Sequence, residues 1–408
     1  MTHSARTPCI LRISPVFRMP RLRSWRDLTN TAGFRSAVRG VLRYFFGRRG
    51  QRRVRGLRLF FRMRILILFR TGESIGRMTR RNDVRLWVDG SGVFHRIEHL
   101  IRHAQHSVII QMFIWKNDAT GRRIARLLLE VAERGVLVDI TKEAVGDFFE
   151  FSGDFISTKE STQEPWLAFW HHPNIRISTA TYNDHAKVFV IDGSTMLLTG
   201  MNIADEYYRD WHDYMVELRG ARFVEQFLTR GRGPADAPVR LVMNNEEHKD
   251  IRPVLMELLQ SAKEHVVMEQ CYLSDPEVVR TLIALSRRQV HVTIILPKQT
   301  DFHHHANIAT VGTLLAEGLG SHMTVLLTPR MFHAKATIVD HKTVFIGSAN
   351  TFRVSLDEMG EVNVLVRGRH RIAWRLREAM SKSIVQSRVL VGPPRLLWLS
   401  RWLALLGL

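Results

Sequence analysis

The sequence predicts an α/β protein that contains two copies of one structural unit. Short apolar, strand-like runs alternate with amphipathic helical segments, and the same order of elements occurs twice. The first copy reads strand, helix, strand over 108–115, 121–134 and 136–140. The second copy reads the same way over 266–273, 276–288 and 290–296. A Gly- and Pro-rich stretch, 231–238, is the predicted linker between them.

These elements divide the chain into two predicted domains, 82–236 and 237–392, with an extension before them and a tail after them. The chain has 408 residues, which is enough for two to three domains of ~150 residues. No stretch approaches the ~20 consecutive apolar residues of a membrane-spanning helix. Two cysteines, Cys9 and Cys271, are too few for a disulfide framework, so a reduced compartment is expected.

The extension, 1–81, carries almost the whole net charge of the protein. It contains 21 Arg, no Lys and two acidic residues, so it accounts for +19 of the net +20. Aromatic and aliphatic residues recur at helical spacing over 34–46, which predicts a basic amphipathic helix on an anionic phospholipid membrane surface. An organellar transit peptide, or translation that starts near Met63 or Met78, is the alternative. The nearly neutral remainder argues against a specific nucleic-acid partner, and the oligomeric state stays open.

The tail, 393–408, is apolar and contains Trp398 and Trp402 four residues apart. Tryptophan favours the boundary between water and a bilayer, so this segment is predicted to lie at a membrane interface. A terminal helix that docks on the protein core is an equally good interpretation.

Each copy ends in the same polar pattern, HAKVFVIDGSTMLLTGMN in the first and HAKATIVDHKTVFIGSAN in the second. After each histidine, Lys follows by 2 positions, Asp by 7, Asn by 17 and a carboxylate by 28. Chance predicts only about 0.02 copies of H-x-K-x4-D in a chain of this composition. The matched residues are His185, Lys187, Asp192, Asn202 and Asp213 in the first copy, and His333, Lys335, Asp340, Asn350 and Glu361 in the second.

Two His, two Lys and two Asn supply what phosphodiester cleavage needs, namely a nucleophile, an acid and fixed positive charge. One imidazole would attack phosphorus to give a phosphohistidine, and the other would protonate the leaving oxygen. The Lys and Asn side chains would hold the non-bridging oxygens, and Asp213 and Glu361 would accept from the far imidazole nitrogens. Asp192 and Asp340 complete the catalytic motif and are expected to brace the strand and its turn. No metal or cofactor is required, and the histidines at 303–305 and 171–172 are interpreted as solvated loops that are more plausible as lining near the substrate channel than as metal ligands.

The duplicated H-x-K-x4-D motif resembles the phospholipase D superfamily, and within it the bacterial cardiolipin synthases. The segments GMNIADEYY, the WHD at 211–213, and NNEEHKD at 244–250 support this resemblance, which covers roughly 84–390. It implies two α/β/α sandwich domains, related by a pseudo-twofold axis, that share one active site. Family analogy favours His185 as the nucleophile.

The resemblance implies a phosphatidyltransferase that makes cardiolipin, with phosphatidylglycerol as donor or acceptor. The alternative enzyme is a phospholipase D-type hydrolase that releases phosphatidic acid, and a non-catalytic membrane scaffold is the alternative from another class. The expected location is the cytoplasmic side of a bacterial inner membrane, as a peripheral protein, or an organelle if the extension is a transit peptide.

Overall fold

Two β-sheets, each flanked by helices, form the framework of the protein. The computed structural model describes residues 83–143, 146, 169, 171–180, 183–318, 322–368, 371–392 and 397–405. These residues belong to a single compact unit. The extension, including the amphipathic helix expected at 34–46, lies outside the described residues.

The first sheet has seven strands in the order β1-β7-β6-β5-β2-β3-β4. Its strands are β1 Val84–Val88, β2 Ser107–Met112, β3 Leu137–Lys142, β4 Ile175–Thr179, β5 Lys187–Ile191, β6 Thr195–Thr199 and β7 Tyr214–Arg219. Strands β2, β3 and β4 are parallel to one another, and the other pairs are antiparallel.

The second sheet repeats this arrangement and adds one short edge strand, in the order β8-β14-β13-β12-β9-β10-β11-β15. Its strands are β8 Val239–Asn244, β9 His265–Gln270, β10 His291–Pro297, β11 Met323–Thr328, β12 Lys335–Val339, β13 Thr343–Gly347, β14 Glu361–Val366 and β15 Arg388–Val389. The first seven of these strands stand in the same order as those of the first sheet. The predicted α/β fold with an internal duplication is therefore confirmed.

Helices pack between and around the strands. The described helices are α1 Gly90–Arg102, α2 Ala119–Glu133, α3 Asp205–Arg209, α4 Ala221–Thr229, α5 Ile251–Gln260, α6 Pro276–Arg287, α7 His304–Gly318, α8 Arg353–Asp357, α9 Arg371–Gln386 and α10 Leu397–Leu405. The helix after the first parallel strand starts in the same way in both halves. Asp118 accepts the Gly121 N–H at the start of α2, and Asp275 accepts the Val278 N–H at the start of α6. An aspartate at this position satisfies amide groups that have no partner inside the helix.

The strands that carry the motif lysines, β5 and β12, lie at the centre of their sheets, and β14, which carries Glu361, lies one strand from an edge. All five residues of β5 (KVFVI), all five of β12 (KATIV) and all six of β14 (EVNVLV) are buried. Strands covered on both faces become continuous apolar runs, which is why these segments do not alternate in polarity. Any polar side chain among them therefore has to find a partner inside the protein.

The tail forms helix α10, which contacts α7, and the buried Ser400 hydroxyl lies 3.3 Å from Nδ1 of His305. Trp398 and Trp402 nevertheless remain 70% and 57% exposed. One side of the helix thus docks on the protein, while both tryptophans face outward. Within the described parts of the chain, no helix combines the length and hydropathy that a bilayer crossing requires.

Candidate active site

The two motif histidines lie where the two halves meet, and backbone hydrogen bonds from the opposite half hold each of them. The His185 N–H donates to Gly360 O at 2.7 Å. In the symmetric position the His333 N–H donates to His212 O at 2.8 Å. Gly360 and His212 each stand one residue before an orienting carboxylate. The residue that follows each of them, Glu361 or Asp213, is thereby brought to the histidine of the other half.

Glu361 pairs tightly with His185. Its Oε1 lies 2.9 Å from Nδ1 of His185, and its two oxygens accept the Ser348 and Ser355 hydroxyls at 2.6 and 2.7 Å. Burial alone would raise the pKa of Glu361, but the charge and hydrogen bond of His185, with Lys187 and Ser348, lower it below its ordinary value. Glu361 is therefore an ionised acceptor. Burial in turn lowers the pKa of His185 to about 4, against the effect of Glu361.

Asp213 contacts His333 more loosely. Its Oδ2 lies 3.5 Å from Nδ1 of His333, which is also 3.1 Å from Gly200 O and 2.9 Å from Nζ of Lys335. Burial raises the pKa of Asp213 to about 7, although Lys335 opposes this shift. Burial and the neighbouring lysines lower the pKa of His333 well below its ordinary value. Near neutral pH the Asp213–His333 pair therefore holds one proton more than the Glu361–His185 pair.

The two motif lysines are completely enclosed. Nζ of Lys187 donates to His185 O, and Nζ of Lys335 donates to His333 O, each at 2.5 Å. Burial lowers the pKa of both amines. The charge of Lys335 lowers the pKa of Lys187 further, and the charges of both lysines lower the pKa of His333. Two buried amines beside two imidazoles favour an anion between them, because an anion would stabilise the protonated amines against the cost of desolvation.

The two motif asparagines differ in their bonding. Asn202 Oδ1 accepts the Ile114 N–H at 3.1 Å, and its Nδ2 donates to the Tyr207 hydroxyl at 2.8 Å. Asn350 is equally buried, yet its Oδ1 has no hydrogen-bond partner in the described part of the chain. An unpartnered Oδ1 can accept a hydrogen bond from a substrate hydroxyl, whereas binding of a phosphate oxygen needs the amide N–H groups, so phosphate binding by Asn202 and Asn350 stays a prediction.

Asp192 and Asp340 fasten the motif strands to the rest of each sheet. Asp192 accepts three consecutive backbone N–H groups, those of Gln105, His106 and Ser107. Asp340 accepts the corresponding three, from Lys263, Glu264 and His265. Both aspartates have positive φ, 47° and 48°, as the turn after each strand requires. These contacts fit the bracing role expected from the sequence.

Aromatic rings surround both histidines, and sequence reasoning assigned none of them a place there. Phe113 stands edge-on to His185, with ring centroids 4.7 Å apart. Tyr207, Trp211 and Tyr272 lie 5.3, 6.0 and 6.1 Å from the His333 ring. Tyr207 and Trp211 occur in the GMNIADEYY and WHD segments, so their position in sequence could have indicated this role. Phe113 and Tyr272 follow β2 and β9, the strands that pair with the motif strands.

Two further groups of residues lie at the site, a pair of serines that sequence reasoning missed and a histidine from a loop that it placed near the substrate channel. The Ser348 and Ser355 hydroxyls, which hold Glu361, carry no pattern that separates them from other serines. Of the histidine loops, the His303 ring lies tilted at 4.7 Å from the Phe352 ring and edge-on at 5.6 Å from the Tyr272 ring, so it reaches the edge of the site. Among the described residues, no group of three or more His, Cys, Asp or Glu side chains is arranged to hold a metal ion.

Comparison with known protein families gives one match over most of both halves. The family model described as "Cardiolipin synthase, PLD-like domain" matches residues 97–230 and 255–384. Cardiolipin synthase A of Pseudomonas fluorescens (strain Pf-5) is 26% identical over 344 residues, which cover 71% of this chain and 67% of that protein. Cardiolipin synthase B of Escherichia coli (strain K12) is 25% identical over 327 residues, covering 71% of this chain and 77% of that protein.

Among solved structures, the phosphatidylserine synthase of Haemophilus influenzae Rd KW20 has a similar fold. The two chains superpose with a TM-score of 0.63 at 13% identity, over 81% of this chain and 94% of the other. At this identity the likeness concerns the fold, and it agrees with the two-sheet architecture described above.

Proposed function

Because this chain belongs to the cardiolipin synthase family of phospholipase D-like proteins, we propose that it is a phosphatidyltransferase that acts on phospholipid phosphodiesters. The observation that carries the proposal is the pairing of each motif histidine with a carboxylate of the opposite half. One site thus contains two imidazoles in different protonation environments and two buried lysines. This is the set of groups that a two-step displacement at phosphorus needs.

In the first step, His185 attacks phosphorus. Its Nδ1 proton points to ionised Glu361, which leaves the Nε2 lone pair free, and its lowered pKa keeps the ring neutral. The bond between phosphorus and the leaving alkoxide breaks as the N–P bond forms. The extra proton that the Asp213–His333 pair holds passes to that alkoxide through Nε2 of His333, and the pair is left without it. Lys187, Lys335 and the Asn350 amide would hold the non-bridging oxygens.

In the second step, an acceptor hydroxyl replaces the alcohol that has left. His333, now without its proton, removes the proton of that hydroxyl, and the acceptor oxygen displaces His185 from phosphorus. If the donor and the acceptor are both phosphatidylglycerol, the products are cardiolipin and glycerol. The chemistry of the second step is the same when water is the acceptor, and phosphatidic acid is then the product.

A membrane surface is the proposed partner because the substrates are lipids. The exposed Trp398 and Trp402 of α10 favour an interface, and the Arg-rich extension, 1–81, supplies charge for an anionic leaflet. The loop before α7 adds Phe302, 54% exposed, whose ring is 4.2 Å from that of His303. The rings of Phe302 and His303 contact Tyr272, and Tyr272 in turn contacts His333, so aromatic side chains lead from the surface to the active site. The proposed location is the cytoplasmic side of a bacterial inner membrane, as a peripheral protein, or an organelle if the extension is a transit peptide.

The test is to incubate the purified full-length protein with labelled phosphatidylglycerol in vesicles and to separate the lipids. The proposal predicts equal amounts of cardiolipin and glycerol from the wild type, and neither product from the His185→Ala variant. Phosphatidic acid as the main lipid product would favour the hydrolase. Absence of any phospholipid turnover by the folded protein would contradict both enzymatic functions and favour the membrane scaffold.

A further inference from the structure

His212 stands one residue before Asp213, and it joins the two halves through its side chain as well as its backbone. The residue is 7% exposed. Its Nδ1 lies 2.6 Å from Oδ1 of Asp89, in the loop between β1 and α1 of the first half. Its Nε2 lies 3.6 Å from Oε1 of Glu269, in β9 of the second half. One imidazole thus stands between two carboxylates from opposite halves.

The corresponding position in the other half has no side chain. Gly360 makes the equivalent backbone bonds to the segment before His185, and a Cβ there would lie 2.0 Å from Oδ1 of Asp184. The backbone ladder between the halves is therefore symmetric, whereas the imidazole exists only beside His333. Any function of the His212 side chain therefore concerns the His333 side of the active site.

Several charged groups face the His212 imidazole, and together they favour its protonated form. Arg330 bonds to the far oxygen of Asp89 at 3.2 Å, and the Tyr214 hydroxyl donates to Glu269 at 2.5 Å. A cleft of about 380 Å³ borders the imidazole, and its charged lining includes Arg375, Glu378 and Lys382. Burial would lower the pKa of His212, but the hydrogen bond with Asp89 and the nearby negative charges of Glu269 and Asp89 raise it to about 10.

We propose that His212 is a positioning residue for the acid half of the active site. Its imidazolium ties Asp89 to Glu269, fixes the backbone that carries Asp213, and holds that carboxylate beside His333. The inference rests on the proposed role of His333 as the acid. The positive charge also acts on Asp213 directly, and with Lys335 and Lys187 it opposes the rise in the pKa of Asp213 that burial causes.

The test compares two variants of the full-length protein, His212→Gln, which removes the charge, and His212→Lys, which keeps it. The bordering cleft leaves space for the longer lysine. The assay measures kcat/KM against pH with water-soluble, short-chain phosphatidylglycerol, whose alkoxide leaving group needs an acid. In His212→Gln the alkaline limb should move upward by about 0.5–1 pH unit, because loss of a nearby positive charge favours protonated Asp213. In His212→Lys the limb should stay at the wild-type position.

The matched control is His95→Gln, which replaces an exposed histidine of α1 and should leave the profile unchanged. A phosphodiester with a nitrophenolate leaving group gives a second contrast, since it needs little protonation and should show no shift. If the limb stays in place in His212→Gln, or moves equally in His212→Lys, the proposal is wrong.

A measurement on the wild-type protein tests the geometry without relying on the fold of a variant or on catalysis. Histidine-selective NMR should show one imidazole that remains doubly protonated at pH 8, when the ordinary histidine pKa near 6.5 predicts neutral rings. If no imidazole remains protonated there, the proposed bridge does not exist. If it is present in a protein that turns over no phosphodiester, the bridge stands and the proposed function fails.

Discussion

Glu361 should contribute more to the reaction rate than Asp213, the other orienting carboxylate. The loss of rate in the Glu361→Gln variant measures this contribution. The substitution keeps the shape of the side chain and the contacts with the Ser348 and Ser355 hydroxyls, which can donate or accept. It removes the negative charge 2.9 Å from Nδ1 of His185. The amide can also present an N–H to that nitrogen, which would put the imidazole proton on Nε2, where the attacking lone pair is needed.

The size of the effect follows from this geometry. Loss of the carboxylate in a comparable buried His–carboxylate pair lowers kcat by ~10⁴ because the wrong tautomer results. We expect a loss of about 10³ to 10⁴-fold for Glu361→Gln, which is ~4–5 kcal/mol in the barrier. Asp213→Asn should cost only about 10 to 100-fold, because Asp213 lies 3.5 Å from His333 and Gly200 O also accepts from that nitrogen.

The assay is single-turnover cleavage of short-chain phosphatidylglycerol, with acid-stable and acid-labile phosphate separated after quenching. Circular dichroism of each variant checks the fold, since removal of one member of a buried pair can destabilise it. Glu358→Gln is the matched control, because it makes the same change at an exposed glutamate three residues away and should retain wild-type rates. Equal losses in Glu361→Gln and Asp213→Asn, or a larger loss in the latter, would refute the assignment of His185 as the nucleophile.

Three further predictions follow from the same site. With a nitrophenyl phosphodiester, His333→Ala should still accumulate phosphohistidine at His185, detectable by mass spectrometry after alkaline quenching; an adduct on His333 in the wild type would reverse the two roles. In the wild type, kcat/KM should be highest between about pH 4 and about pH 7. His185 becomes neutral above the lower limit, and the Asp213–His333 pair loses its proton above the upper limit. A maximum well above pH 8 would contradict this assignment. Deletion of 1–77 should weaken sedimentation with anionic vesicles and leave turnover of a soluble substrate intact, and added salt should weaken binding of the full-length protein in the same way; equal sedimentation at low salt would exclude the extension as the membrane anchor.

The fold and the motif residues could be predicted because the duplication repeats both patterns along the chain. The helix predicted over 121–134 is α2, Ala119–Glu133, and the strand predicted over 266–273 is β9, His265–Gln270. The differences in length arise at element ends, where hydrogen bonding to loops decides the last residue. The five-residue spacing pattern led to the charged groups of the site because these groups have the same offsets in both copies.

The pairing between halves could not be predicted in the same way. The spacing of 28 residues does not indicate which histidine each carboxylate contacts, and the structure pairs His185 with Glu361 and His333 with Asp213. That exchange results from the two short backbone ladders at the interface between the halves. A ladder of this kind uses main-chain atoms, which every residue carries, so the ladder itself leaves no pattern in the sequence.

The difference between the two histidines arises outside the motif. Two identical halves would make both imidazoles equivalent, although the reaction needs one nucleophile and one acid. Glu361 has one methylene more than Asp213, and it receives the Ser348 hydroxyl. At the matching position the first half has Gly200, where a Cβ would lie 2.5 Å from Oδ2 of Asp213. The hydroxyls of Ser348 and Ser355 and one extra methylene thus stabilise one carboxylate as an anion and leave the other with a proton to supply, which divides the chemistry between two copies of one motif.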